Sequence, residues 1–594
     1  GQVYRSEVYN EGEQVPCAVT VASAKVKMYQ RKGPNRHASF IAIQHQSFAR
    51  AFEDDPSDPR ISQSINLTVD RYGNVLEAAS IAYGRRKTDE TTPEKVAQMQ
   101  AADAVSYVKL GYSERIDTAD VLLHKVPVSE FSYEVKGLEK HEGEFYVPED
   151  FSASYIEGKT RLIQGGQSLF FSGDLKTPLP VGKTTFPLIS YGSYQLAFTP
   201  DKLQEIYGGK VTDRMLEEGK YVRLENEFAD DAAKGGWWVP SGNVWLLEEG
   251  ETPEAAKARF YSPLKYTDIY GTPTWVEYYG DTWMIVSAVI NAFKERSSIE
   301  QIDFQTLQPL LVKDVNGNLS SAVYDVAGRV KASAIMGKGD EADSLDGFTI
   351  VTDVHEQSLI ASFFKETDPV RMTEIAKELL GKASVRYVYD PYSWMNESIP
   401  VRAATITREQ HHKDNPDSDV QISIAYSNGS GSAVLSKVQA EPDPDKPGSF
   451  MRWIGNGRTI VNNKGNVVMQ YEPYFSDTPA YESAKEIVET GVTPILYYDA
   501  LGRNIRTEYP DGTFDKVEIH SWSAVGYGTG ATVKESEWYR SRMALDKNDL
   551  EYKAAVKSEV YADVRTISYI DCLGRPVATK VADMMSFAEL DLEG

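Results

Sequence analysis

Tyr498-Asp499-Ala500-Leu501-Gly502-Arg503 is the stretch on which the reading of this chain turns. An Asp can bond the backbone N–H groups that follow it, and a Gly three residues on can take the positive φ of a tight reversal. Flanked by strand-forming residues, the stretch predicts a hairpin turn. Tyr324-Asp325-Val-Ala-Gly328-Arg329 and Ile570-Asp571-Cys-Leu-Gly574-Arg575 repeat it closely. Looser copies run Asp70 to Gly73, Asp268 to Gly271, Asp314 to Gly317, Asn428 to Gly431 and Asn462 to Gly465. Gly431, Gly465, Gly502 and Gly574 follow one another at 34, 37 and 72 residues, the last close to two units. Such a repeat describes strands added hairpin by hairpin to a growing antiparallel sheet, with insertions at the turns. In this reading Asp325, Asp499, Asp571, Gly328, Gly502 and Gly574 shape turns. Tyr324, Tyr498, Arg329, Arg503 and Arg575 pack and bond across strands.

The composition agrees. Tyr (35) outnumbers Phe (21), and short runs rich in Tyr, Val, Ile and Thr lie between Gly, Asn and Asp. Ser64 to Val69, Gln421 to Tyr426 and Pro494 to Tyr498 are examples; Ile65, Leu67 and Val69 alternate onto one strand face. Helical stretches are few: one follows Pro93-Glu94 through Val96, Met99 and Ala104, and one follows Thr252 as N-cap to Phe260. A third runs from Asp368 to Leu380 and stops at Gly381, and a shorter one from Tyr481 to Glu489. The loop Ala440 to Pro447 is polar, proline-rich and expected to be exposed.

With 594 residues there is room for about four domains of roughly 150, or for one large repetitive body. The organisation expected is a β-rich shell segment over 1–260, with helical insertions, and a repeat segment over 261–594. Lys+Arg (63) against Asp+Glu (87) leaves a net charge of −24, which repels phosphate backbones and excludes a nucleic-acid partner. No apolar run approaches the roughly 18 residues of a spanning helix, so no membrane insertion is expected. The first residues have neither a start Met nor signal-peptide features, so the numbering is expected to open inside a longer protein. Cys17 and Cys572 are too far apart in sequence to suggest a disulfide framework and lack metal-site spacing.

At the Tyr-Asp-x-x-Gly-Arg motif, continued in Tyr509-Pro510-Asp511-Gly512-Thr513, the chain resembles the Rhs/YD-repeat family. A further series of blocks is similar to the B subunit of bacterial insecticidal toxin complexes (Tc toxins). These are Asp58-Pro-Arg-Ile61, Val69-Asp-Arg-Tyr-Gly-Asn-Val-Leu76, Ala82-Tyr-Gly-Arg-Arg86, Leu196-Ala-Phe-Thr-Pro200 and Trp238-Val-Pro-Ser-Gly242. Leu307-Gln-Pro309, Asp343-Ser-Leu-Asp-Gly-Phe348, Asn462-Asn-Lys-Gly465 and Gln470-Tyr-Glu-Pro-Tyr-Phe475 complete the series. The resemblance implies a mainly β shell: a long curved antiparallel sheet, part of a hollow cocoon around a cytotoxic C-terminal polypeptide. Its implied partners are that cargo, the remaining C-subunit-like shell segments and, through a propeller, a pore-forming A subunit. It implies a secreted or cell-surface location. Propeller repeats, an autoprotease motif and a cargo domain are not read in this chain.

Other candidate sites are weak in sequence. Gly182-Lys183-Thr184 ends like a phosphate loop, but Thr177 stands where the first Gly belongs. Asp314-Val-Asn316-Gly-Asn318 has alternating oxygens but Gly317 fourth, where a calcium loop needs its Gly sixth, and reads as a hairpin turn. His411-His412 with Asp414 lie in a polar loop, and adjacent side chains diverge. Trp237, Trp238 and Trp245 suit packing better than sugar stacking. With no nucleophile, metal or cofactor motif, no catalytic activity is expected, and the function that the resemblance implies is encapsulation. A glycan- or cell-binding surface protein is the alternative, and a glycan-active enzyme a distant third. In a complete cocoon the alternating Tyr, Val, Ile and Phe side chains would line the inner face; in this piece that face is expected to be partly exposed, or covered by the inserted helices or a neighbouring chain.

Overall fold

The computed structural model describes residues 3–87, 91–141, 143–229, 231–339, 341–445, 451–456, 459–482 and 493–593. Strands take 39% of the chain and helices 17%, so the mainly β, antiparallel fold class read from the repeats holds. The chain forms two compact units. One comprises Gly1–Pro273, Tyr498–Arg506 and Thr513–Gly594; the other comprises Thr274–Tyr497 and Thr507–Gly512.

In the first unit ten strands pair in chain order from Arg5–Val8 to Trp237–Pro240, all antiparallel. Strand Arg60–Val69 buries Gln63 and Ile65, and Leu67 packs on the same cluster. The regular alternation expected to Val69 is interrupted, because the register shifts at Asn66, Thr68 and Val69. Ile65, Ile81, Tyr83, Val105 and Tyr107 form the core with Leu138, Tyr146, Phe151 and Ile156. Burying each of these large side chains contributes about 1.5–3 kcal/mol. Strands Phe514–Ile519, Ser523–Tyr527, Thr566–Ile570, Pro576–Val581 and Met584–Phe587 pair in the same hairpin fashion.

In the second unit strands run in order from Pro273–Tyr278 to Ala433–Ala440, continuing to Arg452–Asn456 and Tyr474–Ser476. Val420, Ile422, Ile424 and Tyr426 alternate inward on strand Val420–Ser427, each buried. Helices Val354–Lys365 and Pro369–Leu380 lie on that face, and Phe363, Met372, Ile375 and Leu379 fill the core with the strand residues. Asp368 caps the second helix by accepting from Val370 and Arg371 N–H, and Gly381 ends it at φ 53°.

Helix content exceeds the sequence reading. The expected helices appear at Glu94–Ala101, Pro253–Ala258 and Pro369–Leu380, although the Thr252 side chain makes no bond to a backbone N–H of its helix. Helices Pro200–Tyr207, Asp213–Glu218, Val354–Lys365, Glu537–Met543 and Leu550–Ser558 were not foreseen. The stretch expected as a helix from Tyr481 to Glu489 lies, past Glu482, outside the described residues. The loop from Ala440 is described as far as Asp445, with Glu441, Pro442, Pro444 and Asp445 exposed.

Candidate functional site: locked turns and an uncharged sheet face

All eight sequence-read turns share one bonding scheme. The backbone N–H of the leading Asp or Asn donates to the carbonyl four residues on, and the Gly N–H donates back to the leading carbonyl. The leading side-chain Oδ1 accepts two more backbone N–H groups. In Asp325 these come from Ala327 and Arg329, in Asp499 from Leu501 and Arg503, and in Asp571 from Leu573 and Arg575, each at 2.9 Å. Asp70, Asp268, Asp314, Asn428 and Asn462 do the same. Gly328, Gly502 and Gly574 hold φ of 77°, 82° and 83°, the left-handed region that side chains with a Cβ enter at a cost.

The Arg of the motif does not bond primarily across strands, as the sequence reading held. Arg329, Arg503 and Arg575 fold back so that Nε donates to Oδ2 of their own turn Asp, at 2.8, 2.7 and 2.9 Å. The four-residue spacing across a tight turn brings guanidinium and carboxylate together more directly than a strand neighbour could. Only then do they reach outward: Arg503 to Glu53, Arg575 to the Asp591 carbonyl, and Arg329 over the Tyr389 ring at 4.5 Å. Tyr324 does cross strands, donating to the Pro309 carbonyl at 3.0 Å. Tyr498 is half-buried at the end of strand Ile495–Tyr498.

Electrostatics follow the bonds. Backbone N–H groups hold the Asp314 and Asp268 carboxyls below the usual carboxylate range. Burial pushes Asp325 up, but donation from the Arg329 backbone and side chain outweighs it, and the net shift is downward.

A ninth turn escaped the sequence reading. Asn291 accepts from Phe293 and Glu295 N–H at 3.0 Å each, while Lys294 takes the glycine position at φ 67°. Searching for Gly missed it, because Lys294 tolerates the left-handed region with its ammonium over the Trp275 ring at 3.2 Å.

The sheet faces carry the second feature. In the first unit Ser47, Ser64, Ser80 and Ser106 stand opposite one another across four strands, and Ala49, Ser62, Ala82 and Ala104 form the next row. Ser47 and Ser64 hydroxyls meet at 2.7 Å. Leu573 and Leu592 border this face and leave a cavity of about 250 Å³. In the second unit the face turned from the helices carries Tyr387, Thr405, Ser423 and Val438 in one row and Ala403, Ala425 and Ser436 in another. The residues named in these rows are uncharged; on the next strands the first row continues into Glu134, opposite Ser106, and its ion-pair partner Arg161, and Ala82 and Ala104 pack against Trp522 and Cys572. Most of the alternating Tyr, Val and Ile point into the two cores: inserted helices cover them in the second unit, one of the outcomes expected from sequence, and the 138–156 segment covers them in the first.

The remaining candidates fall into structural roles. Gly182 to Thr184 is a turn in which Lys183 pairs with Glu114. His411 Nδ1 and the His412 N–H both bond Asp343, with Ser384 and Asp343 also in contact; among the described residues no cluster could hold a metal. Burial raises the Asp343 carboxyl, but those bonds outweigh it and hold it low. Trp237 and Trp238 are buried, and Trp245 is half-exposed under Lys265 at 3.9 Å. A cavity of about 680 Å³ is lined by Arg85, Lys140 and Arg575, each paired to an Asp, and by Cys572, whose thiol burial pushes up to about 11. That thiol stays protonated at neutral pH.

The quoted sequence blocks also meet in space: Arg85 Nε donates to Asp58 Oδ2 at 2.8 Å. Residues 1–110 match the family described as "Insecticide toxin TcdB middle/C-terminal region". No curated protein matches by sequence. Among solved structures, the crystal structure of TcdB2-TccC3 matches with TM-score 0.75 at 19% identity, over 98% of this chain and 28% of that one. TcdB2-TccC3 without its hypervariable C-terminal region matches with TM-score 0.74 at 18% identity, over 98% and 29%. A mutant Tc holotoxin pore from Photorhabdus luminescens matches with TM-score 0.76 at 18% identity, over 98% and 29%. This chain therefore spans under a third of the chains it matches. The resemblance read from the sequence blocks holds: residues 1–110 carry the signature of the TcdB middle/C-terminal region, and the chain has the fold found in TcdB2-TccC3 toxin complexes.

Proposed function

We propose that this chain is a non-enzymatic wall segment of a secreted toxin-complex shell that encloses a cytotoxic C-terminal polypeptide. Its further partners in this reading are the remaining C-subunit-like shell segments and, in the full complex, a pore-forming A subunit. The observation that carries the proposal is the pairing of a toxin-complex fold with rows on the sheet faces made mostly of Ser, Thr and Ala, with Tyr387 and Val438 the larger members. In a chain of charge −24, an ordinary solvent face would be expected to carry Lys, Asp and Glu. Short neutral side chains give a polypeptide neither a large apolar surface nor a fixed charge to grip. A wall of that kind can enclose cargo without binding it. The turn Asp side chains support the non-enzymatic part of the reading, since both carboxylate oxygens of Asp325, Asp499 and Asp571 are taken up within their own turns.

The test is protection. In the assembled toxin complex the cargo should resist proteinase K, and variants that open the turns, Gly502→Val or Asp499→Ala, should speed its cleavage. Cargo cleaved equally fast with and without an intact shell would refute the proposal.

A further inference from the structure

Past strand Met584–Phe587 the chain leaves the sheet of the first unit. Ala588 N–H donates to the Val577 carbonyl at 2.9 Å, and Glu589-Leu590-Asp591-Leu592-Glu593 then runs outside any strand or helix, acidic and apolar residues alternating. The acids go to cations from three distant elements of the same unit. Glu589 pairs with Lys95 at 3.1 Å, Asp591 with Arg161 at 3.1 Å and Lys202 at 3.4 Å, and Glu593 with the same two at 2.8 and 3.1 Å. A terminal nitrogen of Arg575 donates to the Asp591 carbonyl at 2.6 Å. The leucines go elsewhere. Leu590 and Leu592, both half-buried, line the cavity of about 680 Å³, and Leu592 also borders the one of about 250 Å³.

The groove keeps its own pairing without this segment. Arg161 Nε donates to Glu134 Oε2 at 2.8 Å and Arg575 Nε to Asp571 Oδ2 at 2.9 Å, so both guanidinium groups stay paired when Asp591 and Glu593 leave. Lys202, partly exposed, can turn to water. Departure of the segment therefore strands no buried charge, the outcome that makes most buried ion pairs costly to break. The four pairs to Arg161 and Lys202 involve side chains 23–30% exposed, deep enough to select charge and open enough for salt to screen. The Lys95–Glu589 pair is more exposed and adds little.

We propose that Arg161, Lys202 and Arg575 form a docking site for short peptide segments of alternating acidic and apolar residues, and that Glu589–Glu593 occupies it as a displaceable strap. A segment with only one of the two features fits half the site. Acids without leucines leave the cavity walls uncovered, and leucines without acids leave Lys202 and the outer nitrogens of Arg161 to water. Because the strap is tethered, it holds its site at an effective concentration on the order of millimolar. A competing segment of the same chemistry gains entry once the strap's charges are removed or screened. The proposal stands independently of encapsulation.

The probe is fluorescein-labelled Ala-Glu-Leu-Asp-Leu-Glu-Gly, the sequence of residues 588–594, titrated by anisotropy against the whole chain carrying Asp591→Lys and Glu593→Lys. It should bind that chain at least about tenfold more tightly than the unsubstituted chain, whose own strap holds the site. Adding Lys202→Glu should cost about tenfold, and so should replacing both peptide leucines by serine or its three acids by lysine. Hydrogen exchange tests the strap with no substitution at all. In the unsubstituted chain the amides of Ala588–Glu593 should exchange faster in about 0.5 M salt while strand Pro576–Val581 stays protected. Absence of binding, equal affinity for the two chains, binding indifferent to Lys202→Glu, or strap amides that open only together with that strand would overturn the proposal.

Discussion

Arg503 donates to Glu53 through both terminal nitrogens, at 3.0 and 2.7 Å, across 450 residues of sequence. The same guanidinium bonds Asp499 through Nε at 2.7 Å, so one side chain locks its own turn and fastens it to the Ala51–Glu53 end of a distant strand. Glu53 is 6% exposed and Arg503 35%. Ser521, Trp522 and Gln100 add bonds along this seam of the first unit: Ser521 donates to the Phe52 carbonyl at 3.0 Å and Trp522 Nε1 to the Asp58 carbonyl at 3.1 Å. Hairpins alone join only neighbours in sequence, so fastenings of this kind hold distant strands together.

Arg503→Met should destabilise the chain by about 2–3 kcal/mol, because it leaves a buried carboxylate unpaired. Glu53→Gln should cost less, about 1 kcal/mol, since the partly exposed guanidinium can turn to water and Asp499. A double-mutant cycle by urea unfolding should return a coupling of about 1–2 kcal/mol.

Gln100, fully buried, donates to the carbonyls of Trp522 and Ile570 at 2.8 and 2.9 Å. Gln100→Leu takes this donor from the Ile570 carbonyl and leaves the Trp522 carbonyl only the Ile570 N–H, and should cost about 1–3 kcal/mol. Hydrogen exchange should show the loss first in strands Ser523–Tyr527 and Thr566–Ile570.

The turn glycines are not equivalent to the position they define. Gly502→Val should cost about 1–3 kcal/mol through strain at φ 82°. Lys294→Gly removes strain of about 1 kcal/mol and a cation–π contact of similar size, so its stability should change by less than about 1 kcal/mol. Thermal unfolding of the two variants checks the contrast.

Acid should loosen the fold through its depressed carboxyls. Hydrogen bonds from Arg259 and then the Glu248 N–H lower the Glu251 carboxyl from 4.5 to about 2. A depressed folded value means Glu251 stabilises the chain fully above pH 4.5, and that contribution drains away as pH falls towards 2. Asp314 and Asp268, lowered from 3.8 by backbone donors, act in the same direction below that value. Urea midpoints measured through this window should fall with pH, and Glu251→Gln should flatten the slope.

The eight Asp/Asn-to-Gly turns were legible because their chemistry is local: a carboxylate or amide and a φ-permissive residue at fixed spacing. Lys294 was illegible because a tertiary contact with Trp275 supports it. Helix Val354–Lys365 carried local signals that went unread: Leu359, Ile360, Phe363 and Phe364 recur at the i, i+4 spacing of a helix face, and Asp353 caps it by accepting from the Glu356 N–H at 2.8 Å. The Arg side chains were misplaced because residue spacing alone does not choose between a turn partner and a strand partner. The serine rows were invisible for the plainest reason. Ser47, Ser64, Ser80 and Ser106 form a row only through the registers of three strand pairs.

If the sheet faces away from the cores look onto a polypeptide cargo, site-specific photocrosslinking in the assembled toxin complex should capture that contact. A photoreactive phenylalanine would replace Ser64, Ser423 or, on the charged helix Pro369–Leu380, the exposed Glu374. Cargo adducts are expected from positions 64 and 423 at many cargo sites without sequence preference, and none from 374. Adducts only from 374, or none from any position while the cargo is present, would contradict it.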